Sequence, residues 1–300
     1  MNFDVIIIGG GAAGLSAALW CDELALSALL VEEREEFGGQ LLRTYNQIKN
    51  HLGIEAKNGR ELLDIFVRQT ENRRFERRLK TKVSAVDPEK KLVTLAGGES
   101  FSAPAIVIAT GVKRRKLNVA GEEIFQNKGI IESGARDGDR SKDRSALVVG
   151  GGDAAFENAL ILAETARQVT LACRAKDFRA RLEFVEQVRN HPKIKILTET
   201  GVQAITGGEK VEAVRLENLD TGEIFDLPFE IVLVRIGVAP NTEFLRGKLD
   251  LDEAGYIKID HRCETSRPGI FAAGDVANPL SPTVSSAVGM GATAVKSIKN

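Results

Sequence analysis

One glycine pattern occurs twice in this chain, and it limits the possible folds more than any other feature. Gly9-x-Gly11-x-x-Gly14 follows the apolar run Val5-Ile6-Ile7-Ile8, and Gly150-x-Gly152-x-x-Ala155 follows Ala146-Leu147-Val148-Val149. A helix-forming stretch comes next in both places, so each copy has the strand, tight turn and helix context that a bare motif lacks. The glycines permit the turn and let the backbone approach a pyrophosphate, which would rest on the N–H groups and positive dipole of the helix N-terminus. The expected contacts are Gly9, Gly11, Ala12 and Gly14 in the first cradle, and Gly150, Gly152, Asp153 and Ala155 in the second. Glycine required for packing alone is the competing reading of either copy, and a matched pair argues against it. Two cradles imply two dinucleotides and an α/β fold with two Rossmann-like domains.

The residues that close each unit separate the two ligands. Glu32 ends the run Leu29-Leu30-Val31, 23 positions after Gly9, where an acid accepts hydrogen bonds from an adenosine ribose. The matching place 23 positions after Gly150 is Cys173, followed by the cations Arg174, Lys176 and Arg179. Without the acid, and with guanidinium groups that bind phosphate bidentately, this half is expected to prefer a 2′-phosphate and so NADPH over NADH. The alternative for these three cations is a solvated charged face.

Composition excludes several partners. Lys plus Arg number 41 and Asp plus Glu 42, so no basic excess points to nucleic acid or an anionic membrane. No apolar stretch approaches a membrane span and no leader precedes the first strand at Phe3-Asp4-Val5, so a cytoplasmic protein is expected. Cys21, Cys173 and Cys263 are scattered with no Cys-x-x-Cys, and His51, His191 and His261 form no ligand cluster, which argues against a disulfide scaffold or a metal site.

Along the chain, Phe37-Gly38-Gly39-Gln40-Leu41 reads as a turn, and residues 59–78 as one amphipathic helix with Leu62, Leu63, Ile65, Phe66 and Val67 inward. Residues 83–86 and 91–95 read as strands, and 105–111 as a buried strand ending on a glycine. Residues 113–144 are charged and glycine-rich. A helix pattern over 154–164, a buried strand over 230–236, a crossover at 237–241 and a small-residue helix from about 283 complete the chain. The only internal repeat is the dinucleotide unit itself.

These motifs carry a resemblance. Gly9 to Gly14, Gly38-Gly39-Gln40-Leu41, Ala109-Thr110-Gly111, Gly150 to Ala155, Asp177-Phe178-Arg179-Ala180, Pro240-Asn241-Thr242 and Gly269 to Asp275 resemble, in order and spacing, the low-molecular-weight bacterial thioredoxin reductases over essentially the whole chain. The resemblance implies a three-layer fold in which an FAD domain, residues 1–112 and 240–300, is interrupted by an inserted NAD(P)H domain, residues 113–239, with the chain forming a homodimer. It further implies that Gly39, Gln40, Asn50, Thr110, Gly111, Gly274, Asp275, Thr283 and Val284 face the FAD, with Asp275 accepting a hydrogen bond from a ribitol hydroxyl.

The departures from that family direct the functional reading. Where those reductases carry Cys-x-x-Cys-Asp-Gly, this chain has Ser133-Gly134-Ala135-Arg136-Asp137-Gly138. Ser and Arg form no disulfide, so electrons are expected to leave the flavin directly for a small molecule or a small redox protein. Arg136 and Asp137 are the only protein groups offered for catalysis, and a solvated charged loop is the competing reading of that segment. The family's second phosphate-binding Arg is Ala175 and its leading His is Cys173, which keeps NADH open. The family's Arg-Gln near the flavin becomes Pro282-Thr283; Ser281 is expected to cap the last helix, with Pro282 at its first position. The function expected is a flavin-dependent NAD(P)H oxidoreductase, with a ferredoxin or flavodoxin reductase and a non-catalytic nucleotide sensor as alternatives.

Overall fold

A computed structural model of the chain describes residues 3–299. The chain divides into two compact units, one running to Lys113 and resuming at Ala239, the other being Arg114–Val238. Each unit secures its own end of the second crossing: Asn241 donates to Gly111 O within the first, and Arg115 donates to Gly237 O within the second, both at 3.0 Å.

The first unit is built on a parallel sheet of β1 (Val5–Ile8), β2 (Ala28–Val31), β3 (Glu76–Arg78), β7 (Ala105–Ile108) and β18 (Ile270–Ala272), in the order β18-β7-β1-β2-β3. Every residue of β1, β2 and β7 is buried, as expected of parallel strands covered on both faces. Alternation sorts their side chains. Val5 and Ile7 join a cluster with the helices α1 (Ala12–Glu23), α2 (Gly59–Thr70) and α6 (Val284–Lys299). Ile6 and Ile8 join another with an antiparallel layer of β4 (Val83–Asp87), β5 (Leu92–Leu95) and β6 (Ser100–Ser102). The result is three layers. Helices α1 and α6 lie close together because a Cβ on Gly291 would fall 2.3 Å from Ala13 O.

The second unit repeats this plan. β9 (Ile130–Ile131), β10 (Ser145–Val149), β11 (Gln168–Ala172), β12 (Ile194–Leu197) and β16 (Ile231–Val234) form a parallel sheet in the order β12-β11-β10-β16-β9. Helices α4 (Asp153–Thr165) and α5 (Leu182–Asn190) cover one face. An antiparallel sheet of β13 (Thr200–Thr206), β14 (Ala213–Asn218) and β15 (Ile224–Pro228) covers the other. Strand order reverses between β1 and β7 and between β10 and β16, and the crevice beyond the strand C-termini at such a point is where open α/β sheets bind ligands. Short strands β8 (Val112–Arg114) and β17 (Val238–Pro240) carry the chain across, and α3 (Gly134–Asp137) follows β9. Among the described residues, no helix is long and apolar enough to cross a membrane.

Two expectations need correction. The helix over 59–78 stops at Thr70, because beyond Val67 the sequence supplies no apolar residue at helical spacing until Phe75. Residues 76–78 instead extend as β3 on the edge of β2, and the Arg77 guanidinium, stacked on Phe75 at 3.8 Å, donates back to Thr70 O at the helix end. Ile65 stays half-exposed outside the cluster that takes Phe66 and Val67. The cap of α6 is Thr283, with Ser281 and Pro282 outside the helix. Thr283 Oγ1 accepts from Ser286 N at 3.2 Å while Thr283 N donates to Ser286 Oγ at 3.3 Å, a reciprocal capping box with serine in the third position. Thr283→Ala should therefore lower stability by about 1 kcal/mol. Ser281→Ala should leave it unchanged, because Ser281 contributes only its backbone, its N–H donating to Asn278 Oδ1 and its carbonyl accepting from Asn278 Nδ2 and Ser286 Oγ. Thermal unfolding of the two variants side by side checks the assignment.

Candidate functional site

At the C-terminal edge of the first sheet, one cleft gathers Gly9, Gly11, Ala12, Glu32, Gly39, Gln40, Thr110, Gly111, Gly274, Asp275, Thr283 and Val284. They come from six separate stretches of chain. Gly14 lies behind the cleft as packing. Asn50 does not line it: it is exposed in the bend between the bridged residues Ile48 and Ala56. The cleft also includes Arg34, Thr44 and Asn241, which the sequence motifs do not mark as ligand contacts. The one signal for Arg34 was its place just after the acid that ends β2.

The three fingerprint glycines have three different physical roles. Gly9 has φ +104°, and a Cβ there would lie 2.4 Å from Ala109 O. Gly14 brings helix to strand: a Cβ would fall 1.8 Å from Gly9 O. At Gly11 the nearest protein atom to a Cβ is Gly39 Cα at 3.9 Å, so the fold itself tolerates a side chain and the open space belongs to the cleft. Glu32 is 6 % exposed and fastens the turn, its Oε2 accepting from Gly10 N at 2.7 Å and its Oε1 from Arg34 N at 3.0 Å. Beyond β7, Thr110 Oγ1 donates to Asn241 O at 2.9 Å and Asn241 Nδ2 donates to Thr110 O at 2.8 Å, which holds Gly111 at φ +62°. Gln40 Nε2 donates to Val112 O at 2.6 Å.

Asp275 is not held as Glu32 is. It is half-buried, and among the described residues its carboxylate takes part in no hydrogen bond or ion pair. Burial pushes its pKa above the ordinary 3.8, since nothing in the protein stabilises the charge. An unpartnered carboxylate lining a cleft is suited to accept from a ligand hydroxyl.

The second cradle has the same division of labour. Gly150, φ +148°, is wedged so that a Cβ would meet Arg235 O at 2.1 Å, whereas a Cβ on Gly152 would meet nothing within 4 Å. Ala155 takes the third position fully buried. Asp153 opens α4 and accepts from Arg181 N at 2.7 Å and Arg181 Nε at 3.0 Å, so its carboxylate is engaged. Arg174 and Arg179 are exposed on the loop after β11, and among the described residues neither has an acidic partner. The loop is anchored by Arg179 N donating to Gly151 O at 2.8 Å and by Phe178, edge-on to Phe156 with ring centroids 5.0 Å apart.

The segment 132–137 is not a solvated loop. Asp137 is 8 % exposed; its Oδ2 accepts from Glu132 N and Ser133 N at 3.0 and 3.2 Å, and Arg136 binds both its oxygens at 2.8 Å. Burial would raise its pKa, but Arg136 and the two N–H groups outweigh burial and hold it below the ordinary value. A carboxylate so held has no proton to give near neutral pH. Ser133 caps α3 through Arg136 N at 3.4 Å, and Gly134 N donates to Asn158 Oδ1 at 2.8 Å. The three cysteines are buried free thiols, Cys21 pushed up to about 12 and Cys263 to about 11 by burial. Among the described residues, no cluster of His, Cys, Asp and Glu could hold a metal ion.

Comparison with known proteins agrees with this architecture. Residues 3–291 match the family described as pyridine nucleotide-disulphide oxidoreductase. The thioredoxin reductase of Mycolicibacterium smegmatis is 39 % identical over 294 residues, covering 97 % of this chain and 94 % of that one. The crystal structure of Lactococcus lactis thioredoxin reductase superposes with a TM-score of 0.87 at 32 % identity, covering 99 % and 98 % of the two chains. A bacillithiol disulfide reductase from Bacillus cereus shares the fold, with a TM-score of 0.82 at 22 % identity over 99 % of both chains.

The raised pKa of Asp275 fixes a sign. Between the ordinary value of 3.8 and its own higher one, the folded state holds the proton that the unfolded state has lost, so stability falls as pH rises through that window. Asp275→Asn should therefore make the ligand-free protein more stable than wild type at neutral pH, with the advantage shrinking as pH falls toward the lower end of the window. Unfolding midpoints measured across pH check it; a variant less stable than wild type at pH 7 would show that the carboxylate has a structural partner.

Proposed function

Because the chain belongs to the pyridine nucleotide-disulphide oxidoreductase family, we propose that it is an FAD-dependent NADPH oxidoreductase that passes electrons to an external acceptor without an internal dithiol. The observation that carries this reading is the open space above Gly11 and Gly152, each beside glycines that packing alone explains. Residues 1–112 and 240–300 would form the FAD domain and 113–239 the NADPH domain. When bound, the nicotinamide supplies hydride and the flavin turns it into electrons for the acceptor.

The chain's own groups bind and orient. Glu32, already holding the turn, would accept from the adenosine ribose of FAD with its remaining lone pairs, and Asp275 from a ribitol hydroxyl. Gln40, Thr110 and Asn241 are locked by their own hydrogen bonds and would shape the cleft around the flavin rather than move with it. Arg174 and Arg179 would take the 2′-phosphate of NADPH. Ser133 and Arg136 occupy the places where the resemblance puts the thiols, and Arg136 with Asp137 holds the corner rather than doing chemistry. The acceptor class is a small oxidant, a low-molecular-weight disulfide or a small redox protein, met by a homodimer in the cytoplasm.

Two outcomes test this. Replacing Arg174 and Arg179 by Ala should weaken NADPH binding by about 2–4 kcal/mol and leave NADH nearly unchanged; equal losses for both coenzymes would assign the pair to folding. In the second test, a yellow preparation bleached anaerobically by NADPH should turn over small acceptors and fail to reduce thioredoxin. A variant with Cys21, Cys173 and Cys263 all changed to Ser should behave the same. Robust thioredoxin reduction by wild type that vanishes in this variant would reveal a working dithiol and overturn the mechanism.

A further inference from the structure

Arg235, the residue after β16, places a half-buried guanidinium at the C-terminal edge of the second sheet. Among the described residues it donates to two carbonyl oxygens, Val234 O at 3.0 Å and Glu132 O, and no carboxylate lies within ion-pair distance. Arg114 donates to the same Glu132 oxygen, so two like charges are held side by side. Burial and then Arg114 press the pKa of Arg235 down to about 10, against the pull of Glu132, Asp137 and Glu157, and it remains charged at neutral pH. Of the acids that pull on it, Asp137 is committed to Arg136 and two N–H groups and Glu132 Oε2 to Arg136 at 3.2 Å. A neutral donor would satisfy the two carbonyls equally well, without the cost of a desolvated charge. The charge therefore calls for an anion that the protein does not itself supply.

Its place identifies the anion. Arg235 N donates to Val149 O at 2.7 Å, and its own carbonyl is the atom that a Cβ on Gly150 would strike. It thus stands beside the turn of the second cradle, where strand order reverses between β10 and β16, and dinucleotides lie across such a point. Cys173, Arg174 and Arg179 follow β11 on one side of it and Arg235 follows β16 on the other. The adenosine half, with its additional phosphate, belongs with the exposed arginines after β11. The anionic group left for Arg235 belongs to the other half. On the reading that this cradle takes a pyridine nucleotide, we propose that Arg235, backed by Arg114, binds the phosphate on the nicotinamide side of the coenzyme's pyrophosphate, and so serves NADPH and NADH alike.

Calorimetric titration of the FAD-loaded protein with NADPH, NADH and 2′,5′-ADP tests this, because 2′,5′-ADP carries the adenosine phosphates and lacks the nicotinamide-side one. Arg235→Gln should weaken both coenzymes about tenfold and leave 2′,5′-ADP unchanged. Arg174→Ala should give the other pattern, weakening NADPH and 2′,5′-ADP and sparing NADH. Arg235→Lys keeps the charge but loses the fork, so it should weaken the coenzymes less than Gln does and again spare 2′,5′-ADP; it decides the matter should the Gln variant fail to fold. Coenzyme affinities equal to wild type in the folded variants, or equal losses for all three ligands, would overturn the proposal and leave Arg235 a structural cation. Wild-type protein that binds none of the three would instead remove the pyridine-nucleotide reading of the cradle, and this inference with it.

Discussion

The approach of a helix to the end of a strand is the constraint from which both sites follow. In the first unit, α1 begins so close to β1 that Gly14 leaves no room for a methyl group against Gly9 O. That closeness draws the first N–H groups of the helix over the sheet edge, and Gly11, which has room of its own, leaves the surface above them clear. In the second unit Ala155 replaces the third glycine, so that cradle admits one methyl group at the contact while keeping Gly152 open. A single backbone solution, used twice, thus separates the glycines that the fold requires from those that leave open space above the turn.

What surrounds each cradle is not duplicated, and the difference assigns the chemistry. The first turn is tied to a buried acid, Glu32, and faces an acid with no protein partner, Asp275. The second carries exposed Arg174 and Arg179 on its outer side and half-buried Arg235 beside its turn. Glu32 and Asp275 at the first site suit a ligand read through its hydroxyls, and Arg174, Arg179 and Arg235 at the second suit one read through its phosphates. Removing a charge should therefore act differently on the free protein: losing an unpaired buried acid relieves a cost to the fold, whereas losing an exposed arginine changes little.

The parts of this arrangement legible in the sequence were those whose signal is local. β1, β2, β7, β10 and β11 are apolar runs buried on both faces, and each fingerprint lies directly on the turn it forms. β3 was hidden because Glu76, Arg77 and Arg78 have no strand-like pattern; they extend only because β2 offers an edge and Arg77 finds the end of α2. The cap of α6 is not legible locally because Ser281 and Thr283 both favour the cap position, Ser281 more strongly in isolation, and the position of Ser286 selects Thr283. Asn50 came from the resemblance alone, and here it is exposed away from the cleft.

Asp137 is the instructive failure, since a run of charges at 136–143 looks solvated and yet its first acid is buried. The burial depends on groups no spacing rule could supply: the two N–H groups of Glu132 and Ser133, which turn inward as β9 ends, and the guanidinium of its own neighbour. Arg114 and Arg235, far apart in sequence, then close on Glu132 O from either side. This corner is a braced set of ion pairs and backbone bonds. A dithiol there must change between open and closed forms and exchange partners, whereas a carboxylate gripped by one guanidinium and two N–H groups is costly to disturb. The side chains at this corner are therefore arranged to stay in place.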